Sequence, residues 1–207
     1  MTRKQEIQKQ NHPKKGSMIT VEPIKELKDI KNLKKLLSDK PMDLTLFTIG
    51  INTNLRASDI LGIKAHQVKE LPLTGGKLRI KEKKTGKIRW VNLNGACMRA
   101  ITKLMGAVEY DPDDFLFRSQ RANKNGERVW SVPYVNAKVK GWCREINLKG
   151  NYGSHTLRKT WGYHQRITFK RDLPILTQAF NHASQKQTLD YLCIQEQEVE
   201  DVFQNEL

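Results

Sequence analysis

Ser154-His155-Thr156-Leu157-Arg158, then Ala179-Phe180-Asn181-His182-Ala183-Ser184, then Thr188-Leu189-Asp190-Tyr191-Leu192: the reading of this chain turns on these three stretches. His155 and Arg158 stand three positions apart, so on a helix they project from one face. His182 precedes Tyr191 by nine positions, and Arg56 and Lys84 come earlier in the chain. None of these residues is diagnostic alone. In this order they suit metal-free attack of a tyrosine hydroxyl on a DNA phosphodiester.

A phosphodiester in transfer spreads negative charge over its non-bridging oxygens, and an enzyme without a metal must bring fixed positive donors to them. Arginine stays charged and offers a planar fork matched to phosphate. Arg56 follows a strongly apolar segment and Arg158 lies near the start of another helical pattern, so both rest on rigid elements. Asp59, three positions beyond Arg56, shares a helical face with it and is expected to hold the guanidinium. Histidine suits proton transfer near neutrality, which fits His155; His182, after Asn181 at a helix end, is placed to donate to a phosphate oxygen. Lys84 at a hairpin tip can serve as a general acid if neighbouring charge lowers its pKa, with Lys81, Lys83 and Lys87 as rivals. Tyr191 is the candidate nucleophile, a phenol that needs its oxyanion stabilised or its proton removed. Tyr110, Tyr134, Tyr152 and Tyr163 read more simply as half-buried aromatics. His12, His66 and His164 have no ligand-like neighbours in the sequence.

The balance of charge supports a polyanionic partner. Thirty-seven Lys and Arg against 22 Asp and Glu leave a net charge of +15, and neutralising phosphates releases their condensed counterions. The surplus is concentrated: Lys77 to Arg89 holds seven basic residues against one acid, Glu82. Lys81, Lys83, Lys87 and Arg89 are therefore expected to contact DNA. Cys97, Cys143 and Cys193 are odd in number and far apart, which argues against a disulfide framework and for a reducing compartment. With no long apolar run and no signal-like N-terminus, the expected location is the cytoplasm, nucleoid-associated when bound to DNA.

At 207 residues with 38% hydrophobic side chains, the chain can bury a core. Residues 1–20 are polar and basic and are expected to form a flexible arm or linker; residues 21–207 form the catalytic domain. Apolar spacing predicts an amphipathic helix from Glu22 through Leu37 and a buried central helix from Pro41 to about Asn54. A short helix follows from Ala57 to Leu61. Leu78–Ile80 and Ile88–Leu93 read as strands joined by the Lys84-Thr85-Gly86-Lys87 turn, with a third strand expected at about 67–71. Helical patterns return at 94–108, 131–147, 155–167, 172–181, 184–193 and 196–204. The expected class is α+β, mainly helical, around a small three-stranded antiparallel sheet.

These stretches, with Thr53-Asn54-Leu55-Arg56-Ala57-Ser58-Asp59 and the Lys84-Thr85-Gly86-Lys87 hairpin, resemble the tyrosine recombinase (phage integrase) family. The resemblance implies that Tyr191 attacks the scissile phosphate to give a 3′-phosphotyrosyl enzyme and a free 5′-hydroxyl. Arg56 and Arg158 would clamp the phosphate, His182 would add a donor, Lys84 would protonate the leaving oxygen, and His155 would assist proton transfer. No metal or cofactor is implied; double-stranded DNA and other recombinase protomers on DNA are. It further implies that a terminal helix at 195–204 can be exchanged between protomers, and that an N-terminal clamping domain usually precedes the catalytic pattern, where this sequence has about 20 basic residues. Asn54 and Asn181 replace family glycines at helix ends, where a left-handed backbone is expected and Asn tolerates it best after Gly. The alternative reading is a non-catalytic DNA-binding module derived from an integrase; the ordered tyrosine argues against it, because a binder needs only basic charge.

Overall fold

The computed structural model describes residues 20–82 and 86–194. Expectations for the 1–19 arm, for Lys83 and Lys84, and for the 195–204 helix fall outside these residues.

Pro41 sets the start of the central helix. Its ring fixes φ, and its missing N–H is an orphan donor at that position in any case. The helix α2 (Pro41–Asn52) carries Leu46, Phe47 and Ile49 fully buried, as its all-round apolar pattern requires. Thr45 Oγ1 donates to the Ala100 carbonyl at 2.9 Å, tying α2 to α5 (Gly95–Ala107). Before α2, the helix α1 (Leu27–Leu36) buries Ile30 and Leu33 and ends on Lys34 and Lys35, which suit the negative end of its dipole. It starts five residues later than the apolar spacing suggested. The Glu22–Ile24 backbone is spent elsewhere: Glu22 N–H donates to the Asn151 carbonyl and Ile24 N–H to Thr160 Oγ1.

After the short α3 (Ala57–Ile60), the expected third strand at 67–71 is replaced by a single helical turn, α4 (His66–Lys69). Gln67 Oε1 caps the Lys64 N–H, while Ala65 and His66 donate to the Asp114 and Pro112 carbonyls. Those bonds curl the chain, and Pro72, which has no N–H to donate, follows. Among the described residues the sheet is therefore two-stranded: β1 (Gly75–Lys81) antiparallel to β2 (Ile88–Asn94), with Leu78 opposite Val91 and Ile80 opposite Arg89. Leu78, Ile80, Val91 and Leu93 face the core. Lys77, Arg79, Lys81, Ile88 and Trp90 line the outer face, as strand alternation requires.

The remaining helices are α6 (Val132–Glu145), α7 (Ser154–Ile167), α8 (Leu173–Phe180) and α9 (Gln185–Leu192). Asn94, Ser131 and Ser184 cap α5, α6 and α9 with side-chain oxygens. Two apolar clusters result. The larger spans α1 to α7 and includes Leu157; the smaller gathers Tyr163, Leu176, Phe180, Leu192 and Ile194 beneath α8 and α9. Helix α7 lies between them. It approaches its neighbours closely at two glycine contacts: a Cβ on Gly50 of α2 would meet Leu157 Cδ1 at 2.6 Å, and one on Gly162 would meet Leu192 Cδ2 and Phe180 Cζ at 2.6 Å. Among the described residues no helix is long and apolar enough to cross a membrane.

Gly162→Ala should therefore force α8 and α9 away from α7. Urea unfolding should show a loss of about 1–3 kcal/mol, the usual cost of overpacking a filled core. Alanine at Gly106, where an added Cβ meets nothing within 4 Å, should be neutral or stabilising in the same experiment.

Candidate active site

Helix α2 ends with Thr53 Oγ1 donating back to the Ile49 carbonyl at 2.8 Å, and the chain leaves in an extended conformation. Asn54 follows. It is not among the positive-φ residues, so the left-handed expectation fails here. Its side chain explains why asparagine suits the position: Nδ2 donates to the Ala179 carbonyl near the end of α8, and Oδ1 accepts from Arg89 Nη1 at 3.0 Å. Asn54 is a strut between α8 and the hairpin. Asn181, by contrast, adopts the left-handed cap (φ 56°, ψ 46°), its N–H returning to the Gln178 and Thr177 carbonyls.

Arg56 caps the start of α3. Its Nη1 lies 3.1 Å from Glu82 Oε2 and 3.9 Å from Asp59 Oδ2. The expected support from Asp59 is present but longer, and the closer anchor is Glu82. Arg89 Nε approaches the other oxygen of the same carboxylate at 2.9 Å. One carboxylate on the hairpin thus holds two guanidiniums. Arg89, expected as a DNA contact, has its guanidinium engaged by Glu82 and Asn54, and burial lowers its pKa from the ordinary arginine value. Lys81 and Lys87 are exposed.

Helix α7 supplies the next pair. His155 is exposed at its first turn, whereas Arg158, one turn on, is only 5% exposed. Arg56, Ala57, Ser58, Val132, Ser154, His155 and Arg158 line a cleft of about 80 Å³. Arg158 Nη2 donates to the Phe180 carbonyl at 3.3 Å, and its guanidinium lies 5.1 Å from the Phe180 ring centroid. Burial lowers its pKa, against the opposing effect of Tyr191; an arginine remains charged regardless.

Phe180 is also the platform for the last two residues. The His182 ring stacks on it at 5.1 Å and 13°, Tyr191 leans on it at 5.3 Å, and His182 and Tyr191 meet edge to face at 5.2 Å. Thr188 Oγ1 lies 3.1 Å from His182 Nδ1 and 3.0 Å from Thr177 Oγ1, fixing the imidazole between α8 and α9. Burial, then Arg158 and Arg56, push the His182 pKa down from the ordinary histidine value, which favours the neutral ring. Burial pushes Tyr191 up, while Arg158 and Arg56 pull it down. The Tyr191 hydroxyl and Arg158 Nε are both buried without a hydrogen-bond partner, an arrangement that costs about 1–3 kcal/mol for each group. Such groups are few in native structures, and a catalytic role is one of the reasons for keeping them.

Five of the six residues anticipated as catalytic are thus grouped around Phe180 and one small cleft; the sixth, Lys84, lies outside the described residues. His164 and His66 have ordinary roles: His164 bridges Thr168 Oγ1 and the Ile24 carbonyl, and His66 Nδ1 meets the Pro112 carbonyl. Sequence reasoning missed Glu82, Asn54 and Thr188 as supports. A signal existed for Glu82, the single acid in a run of bases.

Arg158 links the two halves of this arrangement, lining the cleft with Arg56 and packing against Phe180, the ring on which His182 and Tyr191 rest. The sequence pattern of the phage integrase family matches residues 19–198, and the chain belongs to that family. It is 32% identical over 186 residues to the probable integrase/recombinase YoeC of Bacillus subtilis (strain 168), covering 86% of this chain and 93% of YoeC. Among solved structures, the XerA recombinase superposes with a TM-score of 0.68 at 15% identity, over 93% of this chain and 68% of that one. The XerH site-specific recombinase, bound to palindromic difH substrate in a post-cleavage complex, gives 0.66 at 20% identity, over 87% of this chain and 51% of XerH. The fold is that of a tyrosine recombinase catalytic domain, and the chain is a recombinase of the integrase type.

Glu82→Gln should leave Arg56 and Arg89 facing each other without their shared anion. Strand cleavage should fall at least about tenfold while duplex affinity holds, since phosphate contacts set affinity and positioning sets rate. Stability should also depend on pH. His164 and His182 are both held below the ordinary histidine value of 6.5, with burial as the first cause. As pH falls, the unfolded chain takes up these protons first, so their contribution is present above about 6.5 and lost as pH drops through the folded values. The urea midpoint should fall between pH 7.5 and 5.5, and less steeply in His164→Gln.

Proposed function

We propose that Tyr191 is the nucleophile of this recombinase and that the cleft between Arg56, His155 and Arg158 receives the scissile phosphate. The phenol oxygen attacks phosphorus, the bond to the 5′-oxygen breaks, and a 3′-phosphotyrosyl link forms. Arg56 and Arg158 balance the charge that develops on the non-bridging oxygens, and His182 donates a further hydrogen bond from its neutral ring. His155, exposed at the cleft mouth, moves the phenol's proton. Lys84, by resemblance to the family, protonates the departing 5′-oxygen. Attack of a 5′-hydroxyl on the phosphotyrosine reverses these steps and rejoins the strand.

The observation that carries this reading is the pair of buried, unpartnered groups, Arg158 Nε and the Tyr191 hydroxyl, in one site. Each lacks a partner that a phosphate could supply: acceptor oxygens for the arginine and an electrophile for the phenol. The substrate is duplex DNA and the working assembly contains further protomers on that DNA. The net charge of +15 and structural neighbours such as XerH, solved bound to difH, support this reading. Such an enzyme works in the cytoplasm, on the nucleoid.

Incubation with a nicked suicide duplex, from which the cleaved fragment diffuses away, should give a covalent protein–DNA band with the wild-type chain and none with Tyr191→Phe. Arg158→Ala should lose cleavage by about two orders of magnitude or more, as removal of an oxyanion donor does elsewhere. It should keep most non-specific affinity, which is shared among many phosphate contacts. A wild-type chain that binds DNA and never forms the band would make this a binding module.

A further inference from the structure

Arg158 has a second buried cation beside it. Lys159 is 5% exposed, and its Nζ lies 3.7 Å from Cys193 Sγ and 4.8 Å from the centroid of the Tyr191 ring. Cys193 is the left-handed cap of α9 (φ 58°, ψ 43°), its N–H turned back to the Leu189 and Asp190 carbonyls. The position of its sulfur therefore reports where the last turn of α9 lies. Burying an ammonium is strongly unfavourable, and an apolar side chain of the same length would fill such a place at less cost. Leu192 and Ile194, on either side of Cys193 in the chain, are both buried and apolar.

The two cations also divide the work. Arg158 donates to the Phe180 carbonyl at the end of α8, and Lys159 donates to the sulfur at the end of α9. Adjacent residues of α7 thus grip the two ends of the segment that carries Tyr191. We propose that Lys159 is a positioning residue for the nucleophile: it tethers the last turn of α9 through Cys193, faces the Tyr191 ring, and so fixes where the phenol oxygen lies. The proposal rests on Tyr191 being the nucleophile. Burial lowers the pKa of Lys159 while Cys193 opposes that shift, in keeping with an ammonium held by the sulfur.

The test uses the full chain and the nicked suicide duplex, with Lys159→Met, Lys159→Arg, Cys193→Ala and the Lys159→Met/Cys193→Ala pair. Lys159→Met removes the charge and keeps the length. It should slow adduct formation at least about tenfold, hold the duplex dissociation constant within about twofold, and leave the thermal midpoint equal or higher, since a desolvated charge is gone. A residue serving structure alone would show the reverse, with the midpoint falling and the rate following it. Cys193→Ala should slow cleavage less. The double variant should be no slower than Lys159→Met, because both changes cut one connection, and Lys159→Arg should recover part of the rate. Wild-type or faster cleavage by Lys159→Met, slowing matched by a lower midpoint, or additive losses in the double variant would overturn the proposal. Backbone amide exchange over residues 185–194 separates this outcome from failure of the nucleophile reading. It should quicken in Lys159→Met and Cys193→Ala even if no adduct ever forms, and unchanged exchange would dismiss the tether.

Discussion

The burial of two neighbouring cations in α7 is the constraint on which the arrangement depends. Helix α7 packs Leu157 into the larger core and Tyr163 into the smaller one, with Gly162 admitting Phe180 and Leu192 to close range. Arg158 and Lys159 sit at that junction, where water is excluded and a charge needs a partner. Their partners, the Phe180 carbonyl and Cys193 Sγ, belong to the ends of α8 and α9. The charge chemistry of the site and the docking of its tyrosine helix are therefore one problem with one solution.

A second group of contacts brings the front of the site to the same point. Asn54 joins α8 to the hairpin through Ala179 and Arg89, and Glu82 joins the hairpin to Arg56. Arg56 and Arg158 come from positions about a hundred residues apart in the chain, yet both act on the electrostatics of His182 and Tyr191. The bonds of Asn54 and Glu82 explain how: they fix α3, the hairpin and α8 in one frame. Guanidiniums held this way need little reorganisation to meet an anion, which is the basis of electrostatic preorganisation.

Much of this was legible in the sequence where periodicity or residue chemistry decides the outcome. The all-round apolar run after Pro41 became the buried α2, alternation around Leu78 and Val91 became β1 and β2, and Asn181 took the left-handed cap. The order of Arg56, His155, Arg158, His182 and Tyr191 indicated the family. What was not legible depended on long-range pairing. The 67–71 segment has strand-like apolar residues, but its fate was set by bonds to Pro112 and Asp114, some forty positions away. Asn54 looked like a cap residue because its tertiary partners, Ala179 and Arg89, lie far off in the chain. Nothing local in the sequence reveals that Arg158 and Lys159 are both buried.

The unequal size of the two cores carries a consequence for motion. Helices α8 and α9 rest on a cluster built from a few side chains around Phe180, whereas the hairpin and the Arg56 region rest on the extended core around α2. Regions with less buried apolar area open at lower free energy than the whole protein unfolds. The helix that bears Tyr191, α9, rests on this smaller cluster alone, so it is the part of the site expected to open first, while α3, the hairpin and α8 stay joined through Asn54 and Glu82. With Tyr191 in the role proposed for it, a yielding seat beside a rigid frame would let an attached strand end move without dismantling the site that must later release it.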